Sequence, residues 1–319
     1  MKFAVQIENH LGITYNGVRK VALEAEKSGF DGLFICDHLM GRNEETFRQP
    51  CLDPWVTLGA LAQATKKIRL GTLVSAVGFR YPSLLAKMGA TLDHVSGGRL
   101  LLTVGAGWHE PEYKAYGIPF PAAGERMQQL REAVQIIRSM WTQDHSTFEG
   151  KSLKIDGAWC YPRPASPRIW VGGGGEKTLL HIVADLADGW NAVGLSVAEY
   201  ARKLEILRTL CENAGRKLNT IERSYYSSCL VGSNENEFRE SFNRYYGQYR
   251  KAEESMESFV ERMRSARPLI GTVTEVAEKM KGFQELGVSY FILYFPDKDG
   301  LGLLRRFSDQ VMPRFTSAS

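Results

Sequence analysis

Several features that would take a chain out of the ordinary soluble class are missing here. Five cysteines are present, Cys36, Cys51, Cys160, Cys211 and Cys229, and no two form a Cys-x-x-Cys pair. Their odd number and wide spacing argue against a disulfide framework and fit reduced thiols in a cytoplasmic protein. No apolar run approaches membrane-spanning length, and the opening MKFAVQIENH lacks the apolar centre of a signal peptide, so no membrane partner is expected. A basic block is also missing: 40 Lys and Arg are interspersed with 36 Asp and Glu, for a net charge of +4. Nucleic acid is therefore not an expected partner. There is no His-Glu-x-x-His, because Tyr113 stands where the second histidine would be and Pro111 interrupts the helix that would present the ligands. With no Cys/His cluster and no Gly-x-Ser-x-Gly, neither a metal nor serine-hydrolase chemistry is expected.

What is present is a regular alternation. Eight strand-like runs occur, Phe3–Ile7, Gly32–Cys36, Ile68–Val74, Leu100–Val104, Ile169–Val171, Trp190–Val193, Tyr225–Val231 and Tyr290–Phe295. Amphipathic stretches lie between them, among them Met127, Leu130, Val134, Ile137 and Trp141 at helical spacing. Asp53-Pro54 reads as a helix start, and Ser196 with Glu199 and Thr272 with Glu275 read as capping boxes. Strands apolar on both faces, each followed by a helix, predict a parallel sheet covered by helices. Eight such units without a linker favour a closed (β/α)8 TIM barrel, one domain over residues 1–319. Two stretches are expected to be insertions: 142–167, rich in Gly, Pro and aromatics, and 233–268, helical by pattern. Phe238, Phe242, Tyr245, Tyr246 and Tyr249 of the second either pack it on the barrel or make it a lid over the active-site mouth.

Three strand ends carry polar or glycine-rich chemistry. Gly172, Gly173, Gly174 and Gly175 lie between an apolar run and a helical one. They match neither the dinucleotide fingerprint nor the P-loop, and leave two readings, a backbone phosphate site at a helix start or tight packing. Asp37 and His38 end the second run, where an imidazole can pass protons; the alternative is a capping aspartate and a rim histidine. After the fourth run, Gly105, Ala106, Gly107 and Trp108 allow a flat ligand close to the backbone, with His109, Glu110 and Glu112 beyond.

The segments FDGLFICDHL, KIRLGTLVSAVGFRYPSLLAKMGATLDHVSGGRLLLTVGAGWHEPEY, IWVGGGGEKTLLHIVADLADGWN and LIGTVTEVAEKMKGFQELGVSYFILYFP occur in order along the chain. With them the chain resembles the luciferase-like monooxygenase superfamily, and within it the oxidoreductases that use the deazaflavin coenzyme F420. The resemblance implies a dimeric TIM barrel that moves a hydride between F420 and a small-molecule substrate. It makes His38 the proton donor or acceptor, with Asp37 orienting the site. Leu73, Val74 and Ser75, with a cis peptide at Leu73-Val74, would back the cofactor ring, Gly105–Trp108 would line it, and Gly172–Gly175 would take the phosphate of its tail. Sugar-phosphate dehydrogenases of the family carry a glutamate acid where Trp108 stands, so the same substrate is not implied. Glu110 or Glu112 could take that place only if the loop folds inward. The alternatives are a two-component monooxygenase using FMN and a flavin-binding paralogue without turnover.

Overall fold

A computed structural model describes residues 1–297 and 301–315. The first half runs β1 (Lys2–Ile7), α1 (Tyr15–Lys27), β2 (Gly32–Ile35), α2 (Glu44–Phe47), α3 (Pro54–Ala64), β3 (Arg69–Ala76), α4 (Pro82–Ser96), β4 (Leu100–Gly105), α5 (Glu110–Ala115) and α6 (Ala123–Thr142). An antiparallel hairpin, β5 (His145–Glu149) and β6 (Lys154–Trp159), precedes β7 (Ile169–Gly172), α7 (Leu179–Leu186), β8 (Gly189–Val193), α8 (Val197–Asn213) and β9 (Glu222–Ser228). Then come β10 (Leu230–Gly232), α9 (Glu235–Tyr246), α10 (Met256–Ala266), β11 (Ile270–Thr272), α11 (Val273–Glu285), β12 (Tyr290–Tyr294) and α12 (Leu301–Gln310).

Eight of these strands close into a barrel in the order β1-β12-β9-β8-β7-β4-β3-β2, and every neighbouring pair is parallel. The expected (β/α)8 architecture is therefore present. The helices start as their sequences specify. Asp53 caps α3 with Pro54 in the first turn, and Ser196–Glu199 and Thr272–Glu275 form reciprocal capping boxes on α8 and α11. The main core lies between barrel and helices, while Ala4, Phe34, Leu73, Leu101, Trp170, Tyr290 and Ile292 form a separate cluster inside the barrel. Trp170 packs edge-on against Tyr290 at 5.4 Å and fills the interior below the mouth.

One strand expectation needs correction. The apolar run through Val231 does not stay in the barrel: β9 ends at Ser228, and β10 pairs in parallel with β11 in a separate two-stranded sheet. The run is continuous in hydrophobicity because its second part is buried under α9 and α11, not because it continues the strand. Both expected insertions are structured excursions. The hairpin β5–β6 is clamped by Glu132 of α6, whose carboxylate accepts from the N–H groups of Lys151, Ser152 and Leu153 at 2.7 to 3.3 Å.

Candidate active site

The C-terminal ends of the barrel strands surround a cavity of about 1290 Å³. Glu8 and His10 follow β1, Cys36 and His38 follow β2, Leu73 and Val74 come from β3, Gly172 and Gly173 from β7, and Ser227 and Ser228 from β9. Tyr245, Tyr246, Tyr249 and Arg267 of the second insertion also line it, so that insertion roofs the mouth. Its aromatics divide the work: Phe238 and Phe242 are fully buried and pack the insertion, whereas Tyr249 is 58% exposed at the cavity edge.

His38 has a defined partner. Its Nδ1 lies 3.0 Å from Glu112 Oε2, and the other carboxylate oxygen accepts the backbone N–H groups of Leu39 and Met40. The glutamate side chain is 1% exposed. Burial, the largest influence, works against its charge, but the His38 bond and the two backbone N–H groups outweigh it and hold the carboxyl below its ordinary range. An ionised Glu112 accepts only, so the His38 proton sits on Nδ1 and Nε2 is left available to the cavity. The loop after β4 thus folds inward through α5. Glu112 turns in, and Glu110 on the same helix stays exposed.

Asp37 is held by groups other than His38. It makes no hydrogen bond to His38; Arg80 holds both its oxygens at 2.8 and 2.9 Å, and the N–H of Ala76 reaches it at 3.2 Å. Arg80 also reaches Asp53, the cap of α3. Burial raises the Asp37 carboxyl to about 6, with Arg80 opposing. Asp37 is an anchor tying the end of β2 to β3 and α3.

The expected cofactor residues separate into three groups. Leu73, Val74, Trp108, Gly172 and Gly173 line the large cavity, and Gly107 with Trp108 lines a small adjoining pocket that also holds Asp37, His38 and Glu112. Trp108 is 63% exposed, with Arg42 5.7 Å over its ring, and forms the rim. Ser75, Gly105, Ala106, Gly174 and Gly175 line neither space. Ser75 alternates away from Val74 and bonds Thr72 and Trp55 in the outer core. The Leu73-Val74 peptide is cis, at a break in the β3–β4 register. Gly105 and Gly172 make room for Val74: a Cβ on either would come within 2.5 Å of its methyl groups. Gly173, with φ +133°, adopts a backbone that side-chain-bearing residues rarely take.

The glycine run does not itself open a helix, as the sequence reading supposed. α7 begins at Leu179, after a turn over Glu176–Thr178. Within the described residues, the N–H groups of Gly174, Gly175, Glu176 and Lys177 donate to no protein acceptor. Glu176 is paired with Arg202 and Lys203 at 2.6 Å, so two cations face one carboxylate beside this loop.

Sequence reasoning passed over the end of β1. His10 is 1% exposed; its Nδ1 lies 3.4 Å from both Glu8 Oε2 and Cys36 Sγ, and its ring centroid 4.8 Å from that of His38. Burial, with Arg42 next, lowers its pKa to about 3, so it is neutral. The signal was available: Glu8-Asn9-His10 is a polar triplet directly after a strand run, the position that faces the mouth of a barrel. Arg80 gave no such signal, since only the fold brings it to Asp37.

A family model described as luciferase-like monooxygenase matches residues 1–290. An uncharacterised protein of Mycobacterium tuberculosis is 37% identical over 167 residues, 52% of this chain and 58% of its own length. The match thus spans little more than half of that relative. The F420-dependent glucose-6-phosphate dehydrogenase of Nakamurella multipartita is 29% identical over 313 residues, 92% of this chain and 91% of that protein. The structure of an F420-dependent secondary alcohol dehydrogenase in complex with an F420-acetone adduct superposes with a TM-score of 0.83 over 99% of both chains, at 21% identity, which is a likeness of fold. No helix among the described residues is long and apolar enough to cross a membrane.

Proposed function

The chain belongs to the luciferase-like monooxygenase family, and from that premise we propose that it is an oxidoreductase using coenzyme F420 to exchange a hydride with a small organic substrate. The observation that carries the reading is the His38–Glu112 pair at the wall shared by the Val74 bulge and the cavity. The residues present fit the coenzyme. The cavity, about 1290 Å³, is large enough for an extended cofactor beside a small substrate. Gln6 Oε1 and Asn191 Oδ1 line it, buried and without partners, and would take N–H groups of a heterocycle. The N–H groups of Gly174–Lys177, beside Arg202 and Lys203, suit the anionic tail.

When bound, the deazaflavin supplies the carbon that gives or takes hydride. Glu112 fixes the His38 tautomer, and His38 Nε2 takes the proton from a substrate hydroxyl or returns it to a carbonyl oxygen. Trp108 and Arg42 at the rim, with Tyr245 and Tyr249 above, restrict access of water. The same reading carries a homodimer and a cytoplasmic setting, the latter supported by five unpaired thiols.

Titration with F420 and with FMN, each followed by anaerobic reduction with candidate alcohols, tests the proposal. F420 is expected to bind more tightly. FMN binding at micromolar concentration with no measurable F420 binding would overturn it in favour of oxygen-dependent chemistry.

A further inference from the structure

Beyond hydride transfer, the chemistry gathered at the mouth of the barrel includes three soft or borderline ligands from two different strand ends. One ligand atom each of His10, Cys36 and His38 can be chosen so that all lie within 4.8 Å of one another. His10 Nδ1 and Cys36 Sγ are 3.4 Å apart. A tetrahedral zinc with Zn–N of about 2.0–2.1 Å and Zn–S of about 2.3 Å sets its nitrogen and sulfur ligands roughly 3.5 Å apart. The spacing therefore needs little adjustment.

Two further observations point to a ligand. His10 is buried with Nδ1 turned to Cys36 Sγ, and no protein group holds its Nε2, so the neutral ring can carry its proton on Nε2 and offer the Nδ1 lone pair to a cation. His38 is bonded through Nδ1 to a buried carboxylate and has Nε2 to spare, the arrangement that orients a metal-binding imidazole and raises its basicity. All three residues line the large cavity, which provides a way in.

We infer that His10, Cys36 and His38 form a site for a borderline-soft divalent cation of the zinc class, with its fourth position open to the cavity. Binding forms two metal–nitrogen bonds and one metal–sulfur bond and releases the Cys36 thiol proton to solvent. The thiol's present bond to Asn9 Oδ1 is given up, and Asn9 keeps its bonds to the carbonyls of His38 and Leu52. On the proposed function, occupancy takes the His38 lone pair needed for proton transfer, so the cation is an inhibitor competing with substrate rather than a catalytic metal.

The test uses the full chain, freed of metal by chelator and without any flavin, so its outcome is independent of cofactor choice. Titration with Co²⁺ is expected to saturate at one equivalent with a thiolate-to-cobalt charge-transfer band that Zn²⁺ abolishes. Cys36→Ser should lose the band, and His10→Gln should weaken binding by about tenfold or more while keeping it. Cys51→Ser, which alters the nearby thiol outside the cluster, should change neither. Absence of the band in the parent overturns the inference whatever the variants do. So does a band that persists in Cys36→Ser, or an affinity unaffected by His10→Gln. Should Cys36→Ser fail to fold, the parent titration and His10→Gln decide the matter.

Discussion

Replacing His38 by alanine removes the imidazole that the buried Glu112 carboxylate holds at 3.0 Å with its second nitrogen left to the cavity. Single-turnover hydride transfer should slow by about a hundredfold or more, the usual scale of acid–base help, with cofactor affinity little changed. Glu112→Gln should leave substrate affinity near that of the parent but lower the rate and shift its pH profile, because the amide no longer enforces the Nδ1–H tautomer. A hydride-transfer rate in His38→Ala within twofold of the parent, with the same pH profile, would show that His38 is a bystander. The glycines divide just as sharply. Gly172→Ala forces a Cβ against Val74, and overpacking of this kind costs about 1–3 kcal/mol. Gly174→Ala meets only the Lys203 chain, at 3.6 Å, and should be nearly neutral for stability. Thermal melts of the two variants distinguish packing from phosphate binding. Unequal melts with equal cofactor affinity would leave the glycines a packing role alone.

At the scale of elements, Glu132 shows how an insertion is held to the barrel. Its side chain belongs to α6, but its oxygens accept the backbone of the hairpin turn and the amide of Gln128. Burial pushes this carboxyl up, but Gln128 and the N–H groups of Ser152, Lys151 and Leu153 together bring it below its ordinary range. A group with a depressed folded pKa contributes stability above its unfolded pKa and loses it as pH falls through the folded value. Glu132→Gln should therefore destabilise the protein at neutral pH by about 1–3 kcal/mol. The gap to the parent should close as pH falls from about 4.3, the unfolded value, down through the lower folded one. Chemical denaturation at pH 7 and pH 4 checks the sign; a gap that widens on acidification would refute this account. The capping boxes on α8 and α11 were legible in four-residue stretches because the interaction is local. The clamp was not, since its partners lie about twenty residues away.

At the scale of the whole molecule, apolar side chains remain uncovered on one group of neighbouring elements. Val56 of α3 is 75% exposed and Leu84 of α4 61%, while Trp159 and Tyr161 lie at the end of the hairpin that Tyr81 and Lys87 bond to α4. A homodimer that buries this face is the expected solution state, and Leu84→Glu combined with Val56→Glu should convert it to monomer. Light scattering of parent and variant decides: a parent mass matching one 35.8 kDa chain removes the dimer.

The sequence by itself determined the barrel. Strand runs, helix periodicity and caps are local patterns, and eight repeats of strand and helix leave one economical closed arrangement. It also placed Asp37 and His38 at a mouth position, because a polar pair after an apolar strand has few other places to go. The tertiary structure alone decided which groups meet. It gave His38 to Glu112 rather than Asp37, because α5 turns inward after β4 and Arg80 claims the aspartate. It put Gly105 and Gly172 behind Val74, and it set His10 beside Cys36 and His38. Contacts of this kind depend on side-chain direction and on loop paths between distant segments, neither of which residue spacing encodes.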